Sequence, residues 1–82
     1  MRYEKIYVEV IVRFLSDGGM RPIELAWKDG SRYIIDKIKF IERAPAKVSA
    51  LSTTRYTVVI CGVEKYLYFE EFKERWFVEK RI

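Results

Sequence analysis

The chain contains no histidine and only one cysteine, Cys61, among its 82 residues. Without histidine it lacks the usual general base, the Cys-His and Ser-His pairs of nucleophilic enzymes and the commonest ligand of transition metals. A single cysteine cannot form an internal disulfide, and it cannot supply the cysteine cluster of a zinc site. These absences predict a protein that is not an enzyme and that holds no metal or other cofactor.

Long apolar runs are absent as well. No segment approaches the roughly 20 apolar residues that span a bilayer, and residues 1–5 carry charges where a signal peptide has its apolar run. The Gly18-Gly19 pair lacks the rest of a nucleotide-binding motif and indicates a turn. The single cysteine is typical of a reducing, cytoplasmic setting, and the lack of a bilayer-spanning segment predicts no membrane partner.

What the chain does contain is apolar surface and evenly mixed charge. Half of its residues are apolar and 16% are aromatic, which is ample for a hydrophobic core. The net charge is +4, with nine basic and seven acidic residues over 1–43 and seven and five over 44–82. This mildly basic balance permits a nucleic acid or an acidic protein partner without requiring either. At this length we expect one barrel-like domain over residues 1–82.

The Asp29-Gly30 pair lies between two apolar-rich runs and predicts a β-hairpin. A two-residue turn places Leu25 opposite Ile34, whereas a three-residue loop with Gly30 in the left-handed region places Leu25 opposite Tyr33. A slip of one residue moves every side chain to the other face. We expect the longer loop, because it gathers one apolar face: Ile23, Leu25, Trp27, Tyr33 and Ile35.

Alternating apolar residues predict three strands in the first half of the chain, at about residues 5–15, 22–28 and 31–42. In the third, the apolar positions change from odd to even numbers across Asp36-Lys37, which predicts a β-bulge. Residues 44–54 are expected to form the one long loop.

Three further strands are predicted at about residues 56–61, 64–69 and 75–79. A tight turn at Gly62-Val63 joins the first two of these. Glu70-Glu71 could be two paired catalytic carboxylates, but a solvated turn is the simpler interpretation because nothing nearby marks a cleft.

Six short strands with turn signals predict an all-β fold, a small antiparallel barrel or strongly curled sheet of five to six strands and of SH3-like size. The residues expected to be largely buried in its core are Val8, Val10, Val12, Leu25, Trp27, Ile35, Ile38, Phe40, Val58, Ile60, Leu67, Phe69, Trp76 and Val78.

A series of landmarks spans nearly the whole chain: Val8-Glu9-Val10, Gly18-Gly19-Met20-Arg21-Pro22, Trp27-Lys28-Asp29-Gly30, Ile35-Asp36-Lys37-Ile38, Arg55-Tyr56-Thr57-Val58 and Arg75-Trp76-Phe77-Val78-Glu79. Their order resembles a family of small, functionally uncharacterised β-domain proteins of clostridia and related bacteria. More distantly, the aromatic strand-turn-strand pattern and the terminal tryptophan strand resemble a β-domain appended to some Y-family-like DNA polymerases. The resemblance implies a small bacterial β-module and supplies no catalytic residue.

Two sets of side chains are candidates for a binding surface. One is basic and runs from the third strand through the long loop: Lys37, Lys39, Arg43, Lys47 and Arg55. The other is aromatic and is centred on Tyr66 and Tyr68. Cations beside exposed aromatic rings are how single-stranded nucleic acid is held without sequence readout. Lysines also guard sheet edges against aggregation, and the tyrosines could instead cover the second side of a curled sheet.

The sequence thus leaves two classes of function. The first is a non-enzymatic module that binds a protein partner or associates with itself through an edge strand. The alternative is weak, sequence-independent binding of nucleic acid through the basic and tyrosine-rich face.

Overall fold

The computed structural model describes residues 2–43 and 53–82. They form seven strands: β1 Tyr3–Phe14, β2 Met20–Ala26, β3 Arg32–Ile34, β4 Lys37–Arg43, β5 Thr53–Ile60, β6 Val63–Glu70 and β7 Arg75–Arg81. Within these two ranges no helix is present that has the length and apolar character needed to cross a membrane. The expected long loop lies outside the described residues except for residues 53 and 54, which begin β5.

All neighbouring strands are antiparallel, in the order β3-β2-β1-β7-β6-β5-β4. β3 and β4 lie at opposite ends of this order, yet only Ile35 and Asp36 separate them in the chain. The Ile35 amide donates to the carbonyl of Ile23 on β2 at 3.0 Å, and the Asp36 amide donates to that of Val59 on β5 at 2.9 Å. The sheet therefore curls until its two edges meet at this corner, which confirms the all-β, strongly curled fold.

The change of phase at Asp36-Lys37 marks a change of partner strand and not the predicted β-bulge. The segment before it pairs with β2, where Leu25 lies opposite Tyr33. The segment after it pairs with β5, where Lys37 lies opposite Val59. The predicted third strand is thus two strands, and the sheet has seven strands instead of five or six.

The first hairpin has the three-residue loop and the predicted register. The Trp27 amide donates to the Ser31 carbonyl at 2.8 Å, and the Gly30 amide donates back to the Trp27 carbonyl at 2.9 Å. Gly30 has a φ of 93°, in the region that residues with a Cβ rarely adopt.

The turn between β5 and β6 differs from the prediction. Ile60 lies directly opposite Val63, so the two turn residues are Cys61 and Gly62, with φ of 51° and 76°. Such a pair of positive φ values matches the twist of a two-residue hairpin. The Asp36 carboxylate accepts the Cys61 amide at 3.1 Å and so ties this turn to the corner between β3 and β4.

Most of the predicted core residues are in the observed core. The buried cluster contains Leu25, Ile35, Tyr56, Val58, Ile60, Leu67 and Trp76. Packed against it and partly buried are Val8, Val10, Val12, Ile38, Phe69 and Val78. Trp27 is half-buried.

Phe40 is the clear exception, because it is 60% exposed. Ile38 lies opposite the core residue Val58, but Phe40 lies opposite Thr57, and Lys39 is the extra residue between them. Directly opposed residues share a face of the sheet, so the bulge at Lys39 turns Phe40 away from the core. The prediction that Phe40 is buried is wrong for that reason.

Candidate functional site

A row of side chains crosses five strands on the face of the sheet that is turned away from the core. Glu42 lies opposite Arg55, Arg55 opposite Tyr68, Tyr68 opposite Phe77, and Phe77 opposite Tyr7. We call these five residues the outer row. The row brings together two of the predicted binding residues, Arg55 and Tyr68.

Contacts within the outer row leave little of Tyr68 accessible. Its ring stacks on Phe77 at a centroid distance of 5.1 Å, and Tyr7 meets Phe77 edge-on at 6.1 Å. Phe77 is 0% exposed and Tyr68 is 4% exposed. Burial, followed by the Glu79 carboxylate that accepts a hydrogen bond from the Tyr68 hydroxyl, raises the pKa of Tyr68 to about 12. Tyr68 therefore packs inside the molecule and cannot stack on a base.

Glu70 lies beside the outer row and is a buried carboxylate, so the prediction of a solvated turn at this position is wrong. It is the last residue of β6 and is 0% exposed. The Lys5 ammonium donates to Glu70 Oε2 at 2.8 Å, and the Tyr7 hydroxyl donates to Oε1 at 2.8 Å. Burial favours the neutral acid, but the hydrogen bonds from Lys5 and then Tyr7 outweigh it, and the pKa of Glu70 is lowered.

The ammonium of Lys5 is held equally firmly. It lies 4.8 Å from the centroid of the Phe77 ring as well as beside the Glu70 carboxylate. Burial alone would lower the pKa of Lys5, but the hydrogen bonds with Glu70 and then Tyr7 prevail and raise it. The pair is thus ionised over a wide range of pH, and it covers one side of Phe77.

Three of the predicted basic residues are already neutralised by carboxylates. The three cations lie on β4 and β5, and their carboxylate partners lie on β4, on β6 and in the turn after β6. The ion pairs are Lys39 with Glu64 at 3.0 Å, Arg43 with Glu71 at 3.2 Å and Arg55 with Glu42 at 2.6 Å. Each cation that is neutralised in this way contributes less to the attraction of a phosphate backbone.

The three other predicted binding residues are Lys37, Tyr66 and Lys47. Lys37 is exposed and forms no ion pair with any other residue in the described part of the chain. Tyr66 is 52% exposed, and the Arg55 guanidinium lies 4.6 Å from the centroid of its ring. Lys47 lies outside the described residues. The predicted residues therefore do not form one open face: Tyr68 is buried and three cations are ion-paired. Accessible side chains remain at Lys37, Tyr66 and Arg43, the last of which is 72% exposed.

The edge strand β4 presents the most exposed apolar surface next to this face. Phe40 is 60% exposed on the outer side, in line with the buried Thr57 and then Tyr66. Ile41 lies opposite the core residue Tyr56, on the inner side, and is 54% exposed. β4 thus carries apolar side chains on both faces at the end of the sheet.

Sequence reasoning missed the exposure of Phe40 and Ile41 and the burial of Glu70. The exposure of Phe40 and Ile41 had a signal in the sequence, since the two large apolar residues are adjacent in an alternating strand. One of two such neighbours must leave the core face. No local signal marks Glu70, because its partner Lys5 lies 65 positions away in the sequence.

Comparison with models of known protein families, with curated proteins and with solved structures finds no match. Among residues 2–43 and 53–82, no group of three or more acidic or cysteine side chains is placed to hold a metal ion.

Proposed function

We propose that the protein is a non-enzymatic β-module that binds an extended segment of a partner protein along β4. The observation that carries the proposal is the exposure of Phe40 and Ile41 on opposite faces of an edge strand, at 60% and 54%. In keeping with the missing histidine and the single cysteine, the proposed module is cytoplasmic and works without a cofactor.

The edge position supplies the backbone groups for such a contact. β4 pairs with β5 alone among the described strands. Among residues 2–43 and 53–82, no strand pairs with its other side. We infer that this side offers the N–H and C=O groups that an extended peptide uses when it adds a strand to a sheet.

The usual protection of an edge strand is incomplete here. Lysines and bulges discourage pairing at an edge, and β4 has Lys37, Lys39 and a bulge at Lys39 in its first half. The Lys39 ammonium, however, is bound to Glu64 at 3.0 Å. Beyond the bulge, Phe40 and Ile41 follow without such protection.

The two faces of β4 would also provide specificity. Side chains of an added strand alternate between the two faces of the sheet. Those on the outer face would meet Phe40, with Tyr66 two strands further in. Those on the inner face would meet Ile41 beside Tyr56.

A random peptide library displayed against the immobilised protein tests the proposal. We expect enrichment of peptides with apolar residues at alternate positions, together with slowed hydrogen exchange of the β4 amides in the complex. The double variant Phe40→Ser, Ile41→Ser should bind these peptides at least about tenfold more weakly, because a large apolar side chain contributes about 1.5–3 kcal/mol when it is fully buried. Both side chains are largely exposed, so the variant should fold like the parent.

Phe14→Ser is the matched control, because Phe14 is 77% exposed at the far end of β1. The control should bind the selected peptides with parental affinity. Equal loss in both variants, or no loss in the β4 variant, contradicts the proposal. Sedimentation velocity on the parent would show whether the added strand comes from a second copy of the chain.

Nucleic-acid binding is the second candidate, and the exposure of Tyr66 next to Arg55 favours it. Binding of generic single-stranded DNA or RNA should then fall steeply with salt and show little sequence preference. Tyr66→Ala should weaken it, whereas the buried Tyr68 should contribute only through the fold. Absence of salt-sensitive binding at about 50 mM salt, where phosphate contacts are strong, excludes this candidate.

A further inference from the structure

Two arginines lie directly opposite each other at the end of the β1–β2 ladder. They are Arg13 and Arg21. Like charges at directly opposed positions of an antiparallel pair are destabilising. Together with Lys37 they line a cleft of about 320 Å³ at the corner where the two edges of the sheet meet.

The three cations of this cleft are not neutralised by other residues in the described ranges. No ion pair or side-chain hydrogen bond within these ranges involves Arg13, Arg21 or Lys37. Five other basic residues do form ion pairs: Lys5, Arg32, Lys39, Arg43 and Arg55. The acidic residue that lines the cleft is Asp36, and its Oδ2 accepts the amide of Cys61 at 3.1 Å. The cleft therefore holds an excess of positive charge.

Apolar residues also line the cleft, and backbone hydrogen bonds hold its corner in place. The apolar residues of the lining are Pro22, Ile23, Ile35 and Ile38, of which Pro22 and Ile35 are buried. The hydrogen bonds from the Ile35 and Asp36 amides to β2 and β5 fix the corner. A preformed site over low-dielectric material strengthens charge interactions and lowers the ordering cost of binding.

We propose that this cleft binds the phosphoryl group of a small phosphorylated molecule. Guanidinium groups match phosphate oxygens with two parallel hydrogen bonds, and a nearby ammonium adds a third positive charge. The cleft volume lies at the small end of ligand pockets. A single concave site suits one phosphoryl group, whereas a nucleic-acid strand needs a track of cations along its length. The site is separate from the apolar residues of β4 in the proposed function, so each proposal can fail without the other.

Inorganic phosphate is the probe, titrated into isotope-labelled protein and followed by NMR, with chloride at matched ionic strength as the reference. We expect saturable shifts confined to Arg13, Arg21, Lys37 and their neighbours. Arg13→Gln and Arg21→Gln should each weaken phosphate binding by about tenfold or more, because each removes a charge-assisted pair of hydrogen bonds. Lys80→Gln is the control, since it removes the same charge from β7, opposite Glu4 at the other end of β1. It should leave the affinity within about twofold.

Thermal unfolding provides a second readout that does not depend on the NMR signals. Phosphate should raise the melting temperature of the parent and of Lys80→Gln, but not that of Arg13→Gln, Arg21→Gln combined. In phosphate-free buffer at low salt, the combined variant should be at least as stable as the parent, because the like-charge pair is gone.

Shifts that do not saturate, or that chloride reproduces, overturn the proposal. So does an equal loss of phosphate affinity in Lys80→Gln, since it would reflect net charge instead of a site. The last measurement is the binding of a short single-stranded oligonucleotide. If it binds far more tightly than phosphate, with a steep salt dependence that Arg13→Gln reduces, the cleft belongs to a nucleic-acid surface and the small-ligand proposal is wrong.

Discussion

The pair of Lys5 and Glu70 shows how single residues decide the state of a buried carboxylate. In the parent, the lowered pKa of Glu70 means that its contribution to stability is complete above the ordinary carboxyl pKa and is lost as the pH falls through the folded value. The raised pKa of Lys5 adds stability that is complete below the ordinary amine pKa and is lost as the pH rises through the folded value. The pair is therefore most stabilising between these limits.

Lys5→Met should reverse the acid side of this dependence. Without the ammonium, the pKa of Glu70 should rise, because burial favours the neutral acid. The variant should therefore gain stability as the pH falls through this raised pKa to the ordinary carboxyl pKa. Near neutral pH the loss should be about 1–3 kcal/mol, the cost of removing one hydrogen-bond donor from a buried carboxylate. Urea unfolding at several pH values measures both effects.

Two further variants test whether the pH dependence of stability comes from the Lys5–Glu70 ion pair. Glu70→Gln in the Lys5→Met background should remove the new pH dependence, because no buried charge remains. Lys80→Met, which removes an exposed lysine on β7, should leave the pH dependence of the parent unchanged. A Lys5→Met protein that loses stability with acid as the parent does would contradict the assignment of Glu70.

At the scale of the element, the turns and bulges control which residues face the core. The loop over residues 28–30 confirms the predicted register of the first hairpin. The extra residue Lys39 instead sends Phe40 to the outer face and leaves Ile38 in the core. One inserted position in a strand thus produces the exposed apolar edge on which the proposed function depends.

The conformation of Gly30 can be tested in isolation from packing. A Cβ added there meets nothing within 4 Å, and the φ is 93°. Gly30→Ala should therefore be destabilising by about 1–2 kcal/mol from the backbone alone, and Gly30→Asn by less, because asparagine tolerates positive φ better. Urea unfolding is the measurement. Equal stability of the parent and Gly30→Ala would mean that the loop does not need a left-handed residue.

At the scale of the whole molecule, one tryptophan joins the last strand to the middle of the sheet. Trp76 of β7 lies 5.1 Å from the ring centroid of Tyr56 on β5 and 4.8 Å from that of Phe69 on β6. It is buried, and Val8 lies opposite it on β1. The core therefore depends on contacts between residues from both ends of the chain.

Trp76→Ala should cost about 3–5 kcal/mol, the range for deleting a large buried aromatic side chain. In so small a domain this is a large part of the total stability, and the melting temperature should fall by well over about 10 °C. Trp27→Ala is the control, because Trp27 is only half-buried in the first hairpin, and it should cost much less. Similar melting temperatures for the parent and Trp76→Ala would place the last strand outside the core.

Local steric rules were sufficient for much of this fold. Alternation of apolar residues identified the strands, and the Asp29-Gly30 pair predicted its own loop because glycine alone enters the left-handed region without strain. The change of phase at Asp36-Lys37 located the corner, although its cause could not be read from the chain. These features depend on neighbours within a few positions, and a sequence displays such neighbours directly.

Contacts between distant strands decided the rest. The ion pair of Lys5 with Glu70 joins residues 65 positions apart, and the burial of Tyr68 and Phe77 follows from β6 lying beside β7. The cleft at Arg13, Arg21 and Lys37 exists because the sheet curls until its edges meet. Alternation assigns a side chain to one of two faces, but curvature and the choice of partner strand determine what covers each face, and only the assembled sheet has them.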